Sequence, residues 1–166
     1  VPSPDLAARL IPYLADRGLT VAAAESLTGG ELCAELTRVG GASAVVLGGV
    51  VVYATELKHT LTGVDAALLA AEGPVHPEVA RQLASGVRDA LAVDGRPASI
   101  GLSTTGVAGP DPQGGRAVGT VFVGISTAEG TRAVELALTG TRSEIRRQVV
   151  QRVLAELADE VGLDPS

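Results

Sequence analysis

Apolar positions along this chain alternate between two periods. Over residues 6–14 they recur at helical spacing, at Leu6, Leu10, Tyr13 and Leu14, and Ser3-Pro4 ahead of them reads as an N-cap with proline at the first helical position. Pro12 is expected to bend that helix. Residues 19–24 (LTVAAA) form a short unbroken apolar run, the mark of a buried strand, and 29–39 return to the helical period with Leu32, Cys33, Leu36 and Val39 on one face. The segment 44–53 (AVVLGGVVVY) is long and β-branched, as expected of a strand covered on both faces. Residues 54–71 are helical with a break at Gly63, and 77–92 form a helix opened by Pro77. Strands at 98–104 and 118–127 flank the loop GVAGPDPQGGRA. The Glu129-Gly130 turn leads to a hairpin partner at 131–138, and a helix from about 142 to 161 follows. This order predicts an α/β fold: a three-layer α/β/α sandwich around a mixed, mostly parallel sheet of five or six strands. Neither a repeat nor a linker interrupts residues 1–166, so a single domain is expected.

Charge narrows the partners. A net charge of −6 argues against general nucleic-acid binding, which needs a clustered basic face, and an aromatic content of 2% leaves few stacking platforms. Asp5, Arg9, Asp16 and Arg17 interrupt any leader-like stretch, and no apolar run is long enough to span a membrane. A cytoplasmic protein without membrane partners is expected. Cys33 is the only cysteine, so no internal disulfide forms, and its place on the apolar face reads as core. Of the thirteen basic residues, Lys58 alone is lysine. Only lysine can lose its proton near neutral pH, which marks Lys58 for chemistry that arginine cannot perform. An ordinary surface lysine in an arginine-biased composition is the competing reading.

In open α/β sheets ligands gather where strands end and helices begin, which directs attention to AESLTGG at Ala24–Gly30. Ser26, Thr28 and the amides of Gly29 and Gly30 would crowd a helix N-terminus able to hold an anion or oxyanion. A plain N-cap with glycines for tight packing satisfies the same residues. Tyr53 ends the long strand and Lys58 lies one turn into the next helix, so both can reach the same sheet edge. There a desolvated lysine can accept a serine proton. Thr105, Gly106 and Gly109 open the loop after another strand and offer backbone donors. The stretch Asp111–Gly115 reads as a flexible surface connection. Arg142 and Arg146, one turn apart, can pair with a phosphate or remain solvated.

Familiar signatures are missing. No Gly-Lys pair makes a Walker loop, no G-x-G-x-x-G marks a dinucleotide site, and Ser26 lacks both the glycines of a hydrolase elbow and a lysine three residues on. His59 and His76 are poorly placed for a catalytic triad, and two scattered histidines with one cysteine give no metal-ligand spacing.

Six stretches in order, AESLTGG, GGVVVY with Lys58 five residues on, GPVHPE at 73–78, TGVAGP at 105–110, VGTV at 118–121, and Gly140-Thr141-Arg142 with Arg146, resemble the C-terminal amidohydrolase domain of the CinA family. The resemblance covers nearly the whole chain. It implies hydrolysis of the carboxamide of nicotinamide mononucleotide to nicotinate mononucleotide and ammonia, without metal or cofactor. It also implies Ser26 as nucleophile, with Lys58 and Tyr53 completing a Ser-Lys-Tyr arrangement. Glu25, Thr28, Gly29, Gly30, Thr105, Gly106, Gly109, Arg142 and Arg146 would contact substrate, Glu25 either facing the pyridinium ring or bonding a backbone amide. Larger family members carry a further N-terminal domain that these residues do not include, which suggests a free-standing form, and a homo-oligomer is expected. Four positions depart from the family pattern: Leu27 for cysteine, His76 for serine, Ala117 for proline and Thr141 for aspartate. Two other functions fit the same motifs: a non-catalytic mononucleotide-binding or competence-associated interaction protein, and an amidase for a related amide.

Overall fold

The computed structural model describes residues 5–166, so the expected Ser3-Pro4 cap lies outside the described residues. Asp5 caps the first helix, its carboxylate accepting from the Ala8 N–H at 3.1 Å. The elements run α1 (Leu6–Asp16), β1 (Val21–Glu25), α2 (Glu31–Thr37), a 3-10 turn (Ala42–Ala44), β2 (Val46–Val51), α3 (Thr55–Thr62) and α4 (Ala66–Glu72). They continue through α5 (Pro77–Ala90), β3 (Ile100–Gly106), β4 (Thr120–Ser126), β5 (Thr131–Ala137) and α6 (Arg142–Val161). Helix α1 continues through Pro12, and Gly63 ends α3 in the left-handed conformation.

The five strands form one sheet in the order β2-β1-β3-β4-β5. β1 pairs parallel with both β2 and β3, whereas β4 runs antiparallel to β3 and β5. Four strands therefore share one direction and β4 alone opposes them, as a mostly parallel sheet with a terminal hairpin requires. Side chains of β1 alternate between layers with the period of two. Val21 and Ala23 join the core built with α1, α2 and α6, and Ala22 and Ala24 join the core under α4 and α5.

Helix α5 packs tightly on β3 and β4 because Gly101 and Gly124 lie beneath it. A Cβ at either would overlap a backbone carbonyl of the helix, that of Ala84 or Ala80. The buried Ser103 hydroxyl donates to the Ala80 carbonyl at 2.7 Å and ties helix to sheet.

One expectation fails. The apolar segment 44–53 was expected to be covered on both faces, yet β2 is the outermost strand and none of its residues is fully buried. Ala44, the first residue of the expected strand, closes the 3-10 turn instead, and Val51 and Tyr53 near its end are exposed. A β-branched run is compatible with an edge strand as well as a central one, and periodicity does not separate the two.

Candidate active site

The C-terminal ends of β1, β2 and β3 meet at one edge, and each delivers a different chemical group. β1 ends in Glu25, whose fully buried carboxylate turns under the next helix. It accepts from the N–H groups of Gly30 (3.2 Å), Leu32 (2.9 Å) and Cys33 (3.0 Å). A carboxylate thus takes up the unpaired donors that begin α2, where the helix dipole favours negative charge. The turn between them requires positive φ at Gly29 (57°) and Gly30 (103°), which explains the glycine pair.

This arrangement fixes Ser26 at the top of β1. Its N–H is shared between the carbonyl and the hydroxyl of Thr104 on β3, each at 3.1 Å, and Thr104 also bonds the buried Thr28 hydroxyl at 2.9 Å. From the other side the Arg146 Nε donates to the Leu27 carbonyl at 2.9 Å. Its guanidinium also reaches the Thr28 carbonyl at 3.3 Å and pairs with Glu31 at 2.8 Å.

Lys58 approaches from α3. Only 1% exposed, it donates to the Val52 carbonyl at 2.6 Å and lies 3.1 Å from Ser26 Oγ. Burial disfavours its charged form and lowers its pKa from 10.5 to about 8. The amine therefore loses its proton within reach of neutral pH, facing a serine hydroxyl. Tyr53, in contrast, is 60% exposed, and its hydroxyl accepts from Arg142 at 3.0 Å. Arg142 also donates to the Gly109 carbonyl at 2.6 Å, clamping the β3–β4 loop to the start of α6. Among the described residues the Tyr53 hydroxyl makes no hydrogen bond to Lys58 or Ser26, so the structure brings Ser26 and Lys58 together and leaves Tyr53 with Arg142 at the rim.

A cavity opens over this pair. Of the residues expected to meet substrate, Ser26, Tyr53, Lys58, Thr105, Gly106, Gly109 and Arg142 line it. Glu25, Thr28, Gly29, Gly30 and Arg146 do not; they form the scaffold beneath and beside the Ser26 turn. Thr105 is also committed, its hydroxyl donating to the Pro74 carbonyl at 2.6 Å. Sequence reading missed Thr55, Val75, Asp111 and Gln113 in the wall. Asp111 and Gln113, in the stretch Asp111–Gly115 expected to be a surface connection, border the cavity.

Two departures from the family pattern have a structural explanation. His76 is the N-cap of α5, its Nδ1 accepting from the Glu78 N–H at 3.1 Å, and Thr141 caps α6 in a reciprocal box with Glu144. Serine and aspartate perform the same capping. Neither residue lines the cavity.

The sequence and the fold match known proteins. The model of the CinA C-terminal domain matches residues 4–161. A CinA-like protein of Frankia casuarinae is 48% identical over 87% of this chain, and one of Gemmatimonas aurantiaca is 44% identical over 96% of it. The chain spans 32% and 37% of those relatives, about a third of their length. Among solved structures, competence/damage inducible protein CihA from Agrobacterium tumefaciens superposes with a TM-score of 0.85 at 31% identity, covering 98% of this chain and 99% of that one. The competence damage-inducible protein A from Klebsiella pneumoniae gives 0.87 at 29% identity over 95% and 96%. The buried Ser26–Lys58 pair at this sheet edge thus sits in a chain that belongs to the CinA C-terminal domain family.

Proposed function

We propose that this domain is an amidohydrolase that converts nicotinamide mononucleotide to nicotinate mononucleotide and ammonia. The observation that carries the reading is the 3.1 Å approach of a buried lysine amine to a serine hydroxyl at the floor of a cavity. In neutral Lys58 one N–H is held by the Val52 carbonyl, which leaves the lone pair free to accept the Ser26 proton. The serine oxygen attacks the carboxamide carbon, and the tetrahedral intermediate collapses as the proton passes from Lys58 to the departing nitrogen. Ammonia leaves an acyl-enzyme. Water, deprotonated by the same amine, attacks the ester carbon and releases the carboxylate and Ser26.

The oxyanion donors reduce to few. In the 26–30 turn the Ser26 N–H is taken by Thr104, that of Gly29 by the Ser26 carbonyl and that of Gly30 by Glu25. Among the described residues neither the Leu27 nor the Thr28 N–H has a protein acceptor, and of the two only Leu27 lines the cavity. As the amide following the nucleophile, it is the donor we assign to the oxyanion. Arg142 at the rim, whose Nε bonds to none of the described residues, is the cation we assign to the phosphate; Arg146 is already paired with Glu31.

The test is ammonia release from nicotinamide mononucleotide by the purified protein beside Ser26→Ala. Turnover that falls by at least about a thousandfold in the variant, with nucleotide binding retained, supports the reading. Binding without turnover by the unmodified protein would favour a non-catalytic nucleotide-binding role. Ammonia from other amides but not this one would reassign the substrate.

A further inference from the structure

The cavity contains a charge that the hydrolytic chemistry leaves unused. Among the residues lining it, Asp111 is the one acidic side chain, facing a wall that also includes Arg142 and Lys58. Its carboxylate makes no hydrogen bond or ion pair with any described residue, although Arg142 donates to a carbonyl only two positions away. Glu25, the acid adjacent to the nucleophile, cannot take its place: it is fully buried and occupied by three backbone amides.

Asp111 is exposed, but the backbone on either side of it is anchored. On one side Gly109 is buried at φ 88°, its carbonyl held by Arg142, and a Cβ there would lie 2.8 Å from Val118 Cγ1. On the other, Gln113 and Arg116 exchange backbone hydrogen bonds of 3.1 and 2.9 Å. A carboxylate held between two such points costs less to order around a ligand than one on a free loop.

We propose that Asp111 is a specificity-determining residue that selects amides carried on a positively charged heteroaromatic ring over neutral ones. The inference rests on the amidohydrolase reading. The chemistry that fits is dipolar: a cationic ring within the field of Asp111, and an anionic group at Arg142. A neutral aromatic amide of the same shape gains nothing from Asp111, whereas a cationic ring without it would face only Arg142 and Lys58. Opposite charges about 5 Å apart at a half-wetted cavity mouth correspond to a preference of about five- to fifteenfold.

The experiment uses the Ser26→Ala protein, which binds without turning over, and calorimetric titration with two nucleotides. One is nicotinamide mononucleotide, with its pyridinium ring. The other is its 1,4-dihydro form, with the same ribose, phosphate and carboxamide but no ring charge. The expected result is about a tenfold preference for the pyridinium form, lost when Asp111→Asn is added through weaker binding of that form alone, and kept in Asp111→Glu. A preference that survives Asp111→Asn, or no preference at the outset, overturns the assignment while leaving the amidohydrolase reading intact. Failure of both nucleotides to bind the Ser26→Ala protein overturns both.

Discussion

Replacing Lys58 by arginine keeps a cation of similar reach and removes its capacity to be neutral, because the guanidinium holds its proton at every accessible pH. With the Lys58 pKa brought down to about 8 by burial, roughly one molecule in a hundred carries the free amine at pH 6, one in ten at pH 7 and half at pH 8. Amide hydrolysis should therefore rise in kcat/KM by about tenfold from pH 6 to 7, then flatten above about pH 9. Lys58→Arg should lose about 10²–10⁴ in kcat and recover none of it at high pH. Ammonia release at constant ionic strength from pH 6 to 9.5 measures both. The same burial acts on stability with a definite sign. The unfolded chain keeps the amine protonated up to 10.5 and the folded one only to about 8. Below pH 8 both states carry the proton and folding bears the full penalty. Between 8 and 10.5 the unfolded state binds more protons, so stability rises with pH across that window. At about 1.4 kcal/mol per pH unit the penalty is about 3 kcal/mol. Lys58→Met removes it and leaves the Val52 carbonyl unpaired, at about 1–2 kcal/mol. The net expectation is an inactive protein that is more stable in urea by about 1–2 kcal/mol at pH 7, with the gain gone by about pH 9–10 and the sign reversed near pH 10.5. A flat activity profile from pH 6 to 9, an arginine variant within tenfold of the parent, or a methionine variant less stable than the parent at pH 7 would refute the reasoning.

Three other changes probe the scaffold. Glu25→Gln exchanges one carboxylate oxygen for an N–H facing the α2 donors; we expect a loss of about 1.5–3 kcal/mol in stability and a fall in kcat larger than any change in KM. An unchanged kcat would show that Glu25 does not position the nucleophile. Gly49→Ala drives a methyl into Cys33 Sγ, whereas the next neighbours, the Ala23 carbonyl oxygen and Cys33 Cβ, lie at 3.4 and 3.6 Å. It should cost about 1–3 kcal/mol, most of it returned by adding Cys33→Ala, and strictly additive urea midpoints would disprove the clash. Burial, reinforced by the Glu25 carboxylate, pushes the Cys33 thiol up to about 12. A disulfide reagent at pH 8 should therefore label the folded protein far more slowly than the unfolded chain, and equal rates would contradict that environment.

Much of this architecture is legible in the sequence because its elements carry their own start and stop signals. Pro77 at the first turn of α5, Gly63 after α3 and the Glu129-Gly130 turn before β5 lie where local physics puts them. Lys58 stood out as the one lysine among arginines, and its burial beside Ser26 fits the chemistry that lysine alone permits. What local signals do not encode is neighbourhood. The strand order that puts β2 at the edge depends on which crossovers pack. So does the difference between Arg142 and Arg146: one turn apart, one faces the β3–β4 loop and the other the Ser26 turn. Asp111 was lost to the same limit, since an acidic residue among glycines and prolines has the composition of a solvated loop.

The Ala24–Gly30 motif shows why a seven-residue stretch is built around one serine hydroxyl. A serine presented at a strand end needs its oxygen free, so the forces that fix it must act on its backbone and neighbours. Glu25 ties the strand end to α2, Gly29 and Gly30 permit the turn, Thr28 binds through Thr104 to β3, and Arg146 holds the carbonyls of Leu27 and Thr28. None of these contacts touches Ser26 Oγ, whose one hydrogen-bond partner among the described residues is Lys58. Such a division explains why Leu27 tolerates departure from the family cysteine: among the positions of the turn it contributes its backbone, while its buried side chain packs against the core. It also requires that substitutions at Glu25, Thr28 or Arg146 act on catalysis by displacing the serine oxygen from Lys58, and therefore with the pH dependence of the remaining activity unchanged.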